Sequence, residues 1–250
     1  TWRLAPLVPA FALCDRVLVH GIDDLNHLKD RGLVDNVTLF PHGMLNWEPQ
    51  TTPTRKLKSD TIATYGFALP HKGLQEMLYA LRILHDRGRK IHLKMVNAEY
   101  PVSISADVLA ELNRLVCELG LIDYVEIHSA FLPDQECLEL LADSDLVVFA
   151  YQETLESASG AVRYGLAAMR PVAVTPLRIF EDVRDATFRF AGTSPECLAD
   201  GIASVLDALD SGAPEAAKVI EQAARWRDQH RYKSVAGQLR NMCKALMATG

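Results

Sequence analysis

Short β-rich apolar runs alternate along this 250-residue chain with longer segments in which apolar positions recur every three or four residues. Runs of the first kind, bounded by polar turns, read as buried strands, and segments of the second kind read as helices. The clearest unit covers residues 145–175, DLVVFAYQETLESASGAVRYGLAAMRPVAVT. It opens with a strand over 146–150 and passes through a polar loop to the small residues Ser157, Ala158, Ser159 and Gly160. A helical pattern then runs to Ala168, and a second buried strand covers 171–175.

The same alternation extends to both sides. Upstream, 61–66, 91–97 and 125–128 read as strands, and 71–87, 106–119 and 133–143 as helices. Downstream, 176–185 reads as a loop, 188–191 as a short strand, and 194–209, 213–229 and 233–247 as helices. Strands alternating with helices of these lengths predict a parallel sheet covered on both faces. The fold class expected is therefore α/β, a doubly wound parallel sheet, preceded by a small α/β remnant. That remnant comprises the end of a helix over 3–13, strands over 16–20 and 36–40, and a helix over 23–31 closed by Gly32. From 46 to 58 the chain turns polar, with Pro49, Pro53, three threonines and three basic residues, which marks the best linker candidate. The expected organisation is a remnant over 1–48, a linker over 49–58, a complete α/β domain over 59–230 and a terminal helix over 231–250. Because the chain opens within a helical pattern and without Met, it reads as a piece of a longer protein.

Composition narrows the function classes. A net charge of −6 with no basic block disfavours nucleic-acid binding. Five dispersed cysteines form no CxxC pair and fit a reducing compartment, and Cys117 and Cys137 read as buried thiols within helices. No segment approaches the roughly 18 uninterrupted apolar residues of a membrane span. The apolar stretch 4–13 lacks the flanks of a signal peptide.

Candidate chemistry gathers at strand ends, where ligands bind in open α/β sheets. The small residues after the 146–150 strand would let backbone N–H groups approach a phosphate at a helix N-terminus, with Glu156 just before them. The bland alternative is a plain crossover with a solvated Glu. A second candidate stretch, Tyr65 to Gly73, ends one strand and opens the next helix, with Gly66 allowing an unusual turn. Lys72 falls in the first helical turn, where an ammonium opposes the helix dipole unless an anion is present; otherwise it is a solvated surface lysine. The spacing is not that of a P-loop, and no GxGxxG or HExxH occurs. His20, His42 and His128 lie at strand ends and read as hydrogen-bonded structural residues, although His128 would face a cleft if one exists. Ser157 and Ser159 read as helix caps, not nucleophiles. Glu153 and Glu156 are too close in sequence to assign as an acid/base pair.

The order of these features carries a resemblance. Pro41-His42-Gly43, a linker, Gly66 with Lys72-Gly73, Phe131-Leu132-Pro133, Glu156 to Gly160 and the 171–175 strand follow one another. This is similar to the carboxyl-terminal, donor-binding half of retaining GT-B glycosyltransferases of family 4. The resemblance covers residues 10–250 and implies a Rossmann-like domain that binds a UDP- or GDP-linked sugar, with a terminal helix over 231–250 that packs back toward the N-terminal part. It implies that Glu156 is catalytic, touching hydroxyls of the donor sugar. The amides of Ala158, Ser159 and Gly160 would hold the diphosphate, Lys72 would be its cationic partner, and Gly66 and Gly73 would shape the loop. Phe131, in the loop 129–132, would pack on the base, and Tyr164 would stand at the ribose. It further implies no cofactor and no required metal, a glycan or lipid-linked acceptor, and a role in surface polysaccharide synthesis. The location implied is cytoplasmic, peripheral at the inner membrane face through an N-terminal half, without which transfer would be poor. Two departures stand out. The second Glu of the E-x7-E pattern is Tyr164, and the Arg that usually follows the first glycine is Phe67, leaving Arg163 or Arg178 to compensate. The competing readings are a degenerate, non-catalytic binding module and a GT-B-like epimerase.

Overall fold

The computed structural model describes residues 5–48, 60–154 and 156–249. The expected linker, 49–58, lies outside the described residues. At the start, β1 (Val17–Val19) and β2 (Val37–Leu39) pair in parallel, with α1 (Val8–Phe11) and α2 (Ile22–Lys29) beside them. Leu28, Leu33 and Val37 form their small core.

The main sheet holds six parallel strands: β3 (Thr61–Phe67), β4 (His92–Ala98), β5 (Val125–His128), β6 (Leu146–Phe149), β7 (Val172–Val174) and β8 (Phe188–Arg189). Their order is β5-β4-β3-β6-β7-β8. Helices α3 (Leu74–Asp86), α4 (Ser103–Glu118) and α7 (Pro195–Ser211) cover one face. The other carries α5 (Asp134–Ala142), α6 (Gly160–Ala167) and α8 (Pro214–His230). Residues 146–149 are apolar without alternation because both faces are covered, and all four side chains are fully buried. The chain leaves the sheet in opposite directions from β3 and β6, which are neighbours. This is the topological switch point, and it opens a crevice at their carboxyl ends.

After α8 the chain bends at Arg231 into α9 (Tyr232–Thr249). Met44 meets it there: its N–H donates to the His230 carbonyl at 2.8 Å, and its carbonyl accepts from the Tyr232 N–H at 3.0 Å. No helix among the described residues is long and apolar enough to cross a membrane.

Three expectations need correction. The helix read over 71–87 is two pieces, a 3-10 turn at Pro70–Lys72 and then α3, separated by Gly73 at φ 70°. The loop read over 176–185 is a 3-10 helix, Arg178–Ala186, which buries Ile179, Phe180 and Val183. Cys117 is exposed, because α4 turns Leu112, Leu115 and Val116 inward instead, whereas Cys137 is buried as expected. All five cysteines are free thiols.

Candidate functional site

Two glycines bring the turn after β3 against the loop after β6. Gly66 takes φ 132°, and a Cβ placed on it would lie 3.5 Å from the Cβ of Ala161, in the first turn of α6. Gly73 is more constrained. Its φ is 70°, and a Cβ there would lie 1.8 Å from the carbonyl oxygen of Ala150. The backbone N–H of Gln152 donates to the carbonyl of His71 at 2.9 Å and ties the two loops together.

Lys72 sits in the tied turn, with its side chain only 11% exposed. Its Nζ donates to Glu156 Oε2 at 3.3 Å and lies 4.0 Å over the Tyr151 ring. The Tyr151 hydroxyl is 3.2 Å from Ser159 Oγ, which accepts from the Val162 N–H and caps α6. Lys72, Glu156, Tyr151 and the α6 N-terminus therefore form one connected group. The reason given above for Lys72 does not survive, since it stands before Gly73 and outside the first turn of α3. Its placement at the crevice rests on Gly73.

Glu156 is half exposed, and each carboxylate oxygen faces a different group. Oε1 lies 3.8 Å from Nε2 of His71, which is buried and has no hydrogen-bond partner among the described residues. Burial and the neighbouring Lys72 hold the His71 pKa below the usual histidine value, against the pull of Glu156. Ala158 is half-buried, Ser159 buried and Gly160 exposed, with open space where a Gly160 side chain would stand. The first N–H groups of α6 have no partners within the helix.

Along the crevice runs a row of aromatic rings. Tyr164 stacks on Tyr65 with centroids 4.3 Å apart, and its hydroxyl donates to Asp134 Oδ1 at 2.7 Å. Burial and that bond push the Tyr164 pKa up to about 12, and burial with Tyr164 raises Tyr65 as well. Both are neutral phenols at physiological pH. Phe131 is 80% exposed and lies nearly parallel to Phe67, with centroids 6.2 Å apart. Phe67 in turn meets Tyr100 edge-on at 4.8 Å. Phe67 thus belongs to an aromatic surface.

Neither arginine named as a compensating cation joins the group. Arg163 is buried at 2% exposure, bonded to the Ser159 carbonyl and to Asp182, with its guanidinium 5.8 Å from the Trp226 ring centre. Arg178 is exposed and pairs with Asp23 at 3.0 Å. His20 and His42 make the structural hydrogen bonds expected of them, to the carbonyls of Phe40 and Gly43. His128 does not: its Nε2 has no hydrogen-bond partner among the described residues and lies 3.5 Å from the Glu126 carboxylate. Ser157 lies against Gly21, and Ser159 is the cap. Sequence reasoning missed His71, Tyr151 and Asp134. Only His71 carried a local signal, its adjacency to Lys72.

The arrangement offers a cation, a carboxylate, a capped helix N-terminus and exposed rings, which suit an anion joined to a polar group and a planar one. No protein-family model matches the sequence, and no curated protein matches it significantly. Solved structures do. A glycosyltransferase from Rickettsia africae superposes with a TM-score of 0.78 at 16% identity, over 98% of this chain and 68% of that one. Sucrose-phosphate synthase from Thermosynechococcus elongatus gives 0.79 at 15%, over 99% and 62%. HepE from Anabaena, in complex with UDP-glucose, gives 0.76 at 15%, over 97% and 67%. The chain thus spans 62% to 68% of the length of these three. Its fold is that of the Rossmann-like part of GT-B glycosyltransferases.

Proposed function

We propose that this chain is the donor-binding part of a retaining glycosyltransferase of family 4. It would take a sugar from a UDP- or GDP-linked donor to a glycan or lipid-linked acceptor, in surface polysaccharide synthesis at the cytoplasmic face of a membrane. The observation that carries the reading is the meeting of Lys72 and Glu156, 3.3 Å apart, beside the capped N-terminus of α6 at the switch point. Lys72 and the α6 amides stabilise the charge that develops on the leaving diphosphate, which a metal ion supplies in other enzymes. Glu156 accepts hydrogen bonds from sugar hydroxyls. The base lies against Phe131 and Phe67, and the ribose beside Tyr164 and Asp134. HepE, a protein of similar fold solved with UDP and with UDP-glucose, supports a nucleotide sugar as the ligand.

Calorimetric titration with UDP, GDP, UDP-glucose and GDP-mannose, first without metal and then with Mg²⁺, tests it. One of the four binds without metal, and Lys72→Ala weakens that binding by about 1.5–3 kcal/mol, the worth of a hydrogen bond to a charged group. Equal affinity in the variant would remove Lys72 from the site. A degenerate, non-catalytic module is the second reading, favoured by Phe67 and Tyr164 in places where the family pattern has charged groups. Binding of none of the four nucleotides supports it.

A further inference from the structure

We propose that His71 is a second anion ligand of the donor site, taking up a proton when the nucleotide diphosphate binds. The inference rests on the donor-site reading above. The charges at the site call for such a group. Lys72 and Glu156 cancel, whereas the diphosphate of a nucleotide sugar carries two negative charges. Arg163, buried against Asp182, and Arg178, paired with Asp23, both bond away from Lys72 and Glu156.

His71 is placed to supply the missing cation. Its backbone is fixed by the bond from Gln152 and by the αL turn at Gly73, next to Lys72. Its Nε2 is buried without a hydrogen-bond partner among the described residues, an arrangement that costs free energy unless something occupies it. The groups facing the ring are Lys72, Glu156 and Tyr151, whose ring stands perpendicular at 6.1 Å. Burial and Lys72 keep the imidazole neutral in the unliganded protein, against Glu156. A dianion within hydrogen-bonding distance reverses that balance, favouring imidazolium. Affinity then rises as pH falls through the pKa of His71 in the complex, and levels off below its pKa in the free protein. The diphosphate diester of UDP-glucose has no proton of its own to titrate near neutral pH, so it isolates the effect.

The test is titration of wild type, His71→Gln and Lys72→Ala with UDP-glucose, or with GDP-mannose if that is the donor bound, at pH 7.5 and 5.5. Wild type binds about tenfold tighter at the lower pH, the equivalent of a one-unit change in pKa. His71→Gln binds equally at both. Wild-type binding enthalpy at pH 6.5 also differs between buffers of different ionisation enthalpy, a readout of proton uptake that needs no variant to fold. Equal wild-type affinity at the two pH values, or an unchanged pH dependence in His71→Gln, overturns the role of His71. The donor site still stands in that case if Lys72→Ala weakens binding. Wild type binding no nucleotide overturns both.

Discussion

One added carbon at Gly73 would meet the carbonyl of Ala150 at 1.8 Å, and no side-chain rearrangement relieves a clash with backbone. The residue also holds φ 70°, which disfavours any L side chain. Gly73→Ala is therefore expected to cost about 2–5 kcal/mol, left-handed strain plus overpacking. Gly66→Ala carries only the φ strain, because its Cβ would stand in ordinary contact with Ala161. Urea denaturation of both variants checks the ranking, and a Gly66→Ala protein less stable than Gly73→Ala would refute it. At this scale the sequence was readable in its residue types more than in its reasons. Lys72 and Glu156 were both named, but Lys72 for a helix turn it does not occupy. His71 was passed over because burial, which makes its nitrogen matter, is not visible in a string of letters.

Between elements, the contact of α5 with α6 decides what Tyr164 does. Asp134 opens α5 and receives the Tyr164 hydroxyl at 2.7 Å, so a carboxylate already stands beside the position where the family pattern has its second Glu. A Glu at position 164 would set two carboxylates face to face. Tyr164→Glu is expected to lower stability by about 1 kcal/mol for the lost hydrogen bond, with repulsion added. It is also expected not to improve nucleotide binding. Adding Asp134→Asn recovers stability, which thermal unfolding of the single and double variants reads directly. A Tyr164→Glu protein that is as stable as wild type and binds nucleotide more tightly contradicts this account. The Asp134–Tyr164 pair lies 30 positions apart and was invisible before topology placed the two helices side by side. The 3-10 helix Arg178–Ala186 was missed although its apolar positions 179, 180, 183 and 186 fall at helical spacing, because the segment is short and its charged residues 178, 181, 182, 184 and 185 make it read as a polar loop.

Across the whole molecule, alternation of strand and helix was enough to predict a parallel, doubly wound sheet, since only buried strands are apolar throughout. The order of its strands was not readable, because pairing partners leave no local mark. Nor were the bonds of Met44 to the bend at Arg231: the resemblance implies a terminal helix that packs back toward the N-terminal part, but not which backbone groups meet. The ion pair of Lys72 with Glu156 has a kinetic side. A site whose cation is already neutralised, in a chain of net charge −6, exerts little long-range pull on an anionic nucleotide. Capture of the nucleotide-sugar donor proposed for it should then proceed at an unsteered rate, on the order of 10⁵–10⁶ M⁻¹s⁻¹. Stopped-flow association should be nearly flat, or slightly faster, as salt rises. A steep fall would reveal an attracting field that the paired charges do not supply.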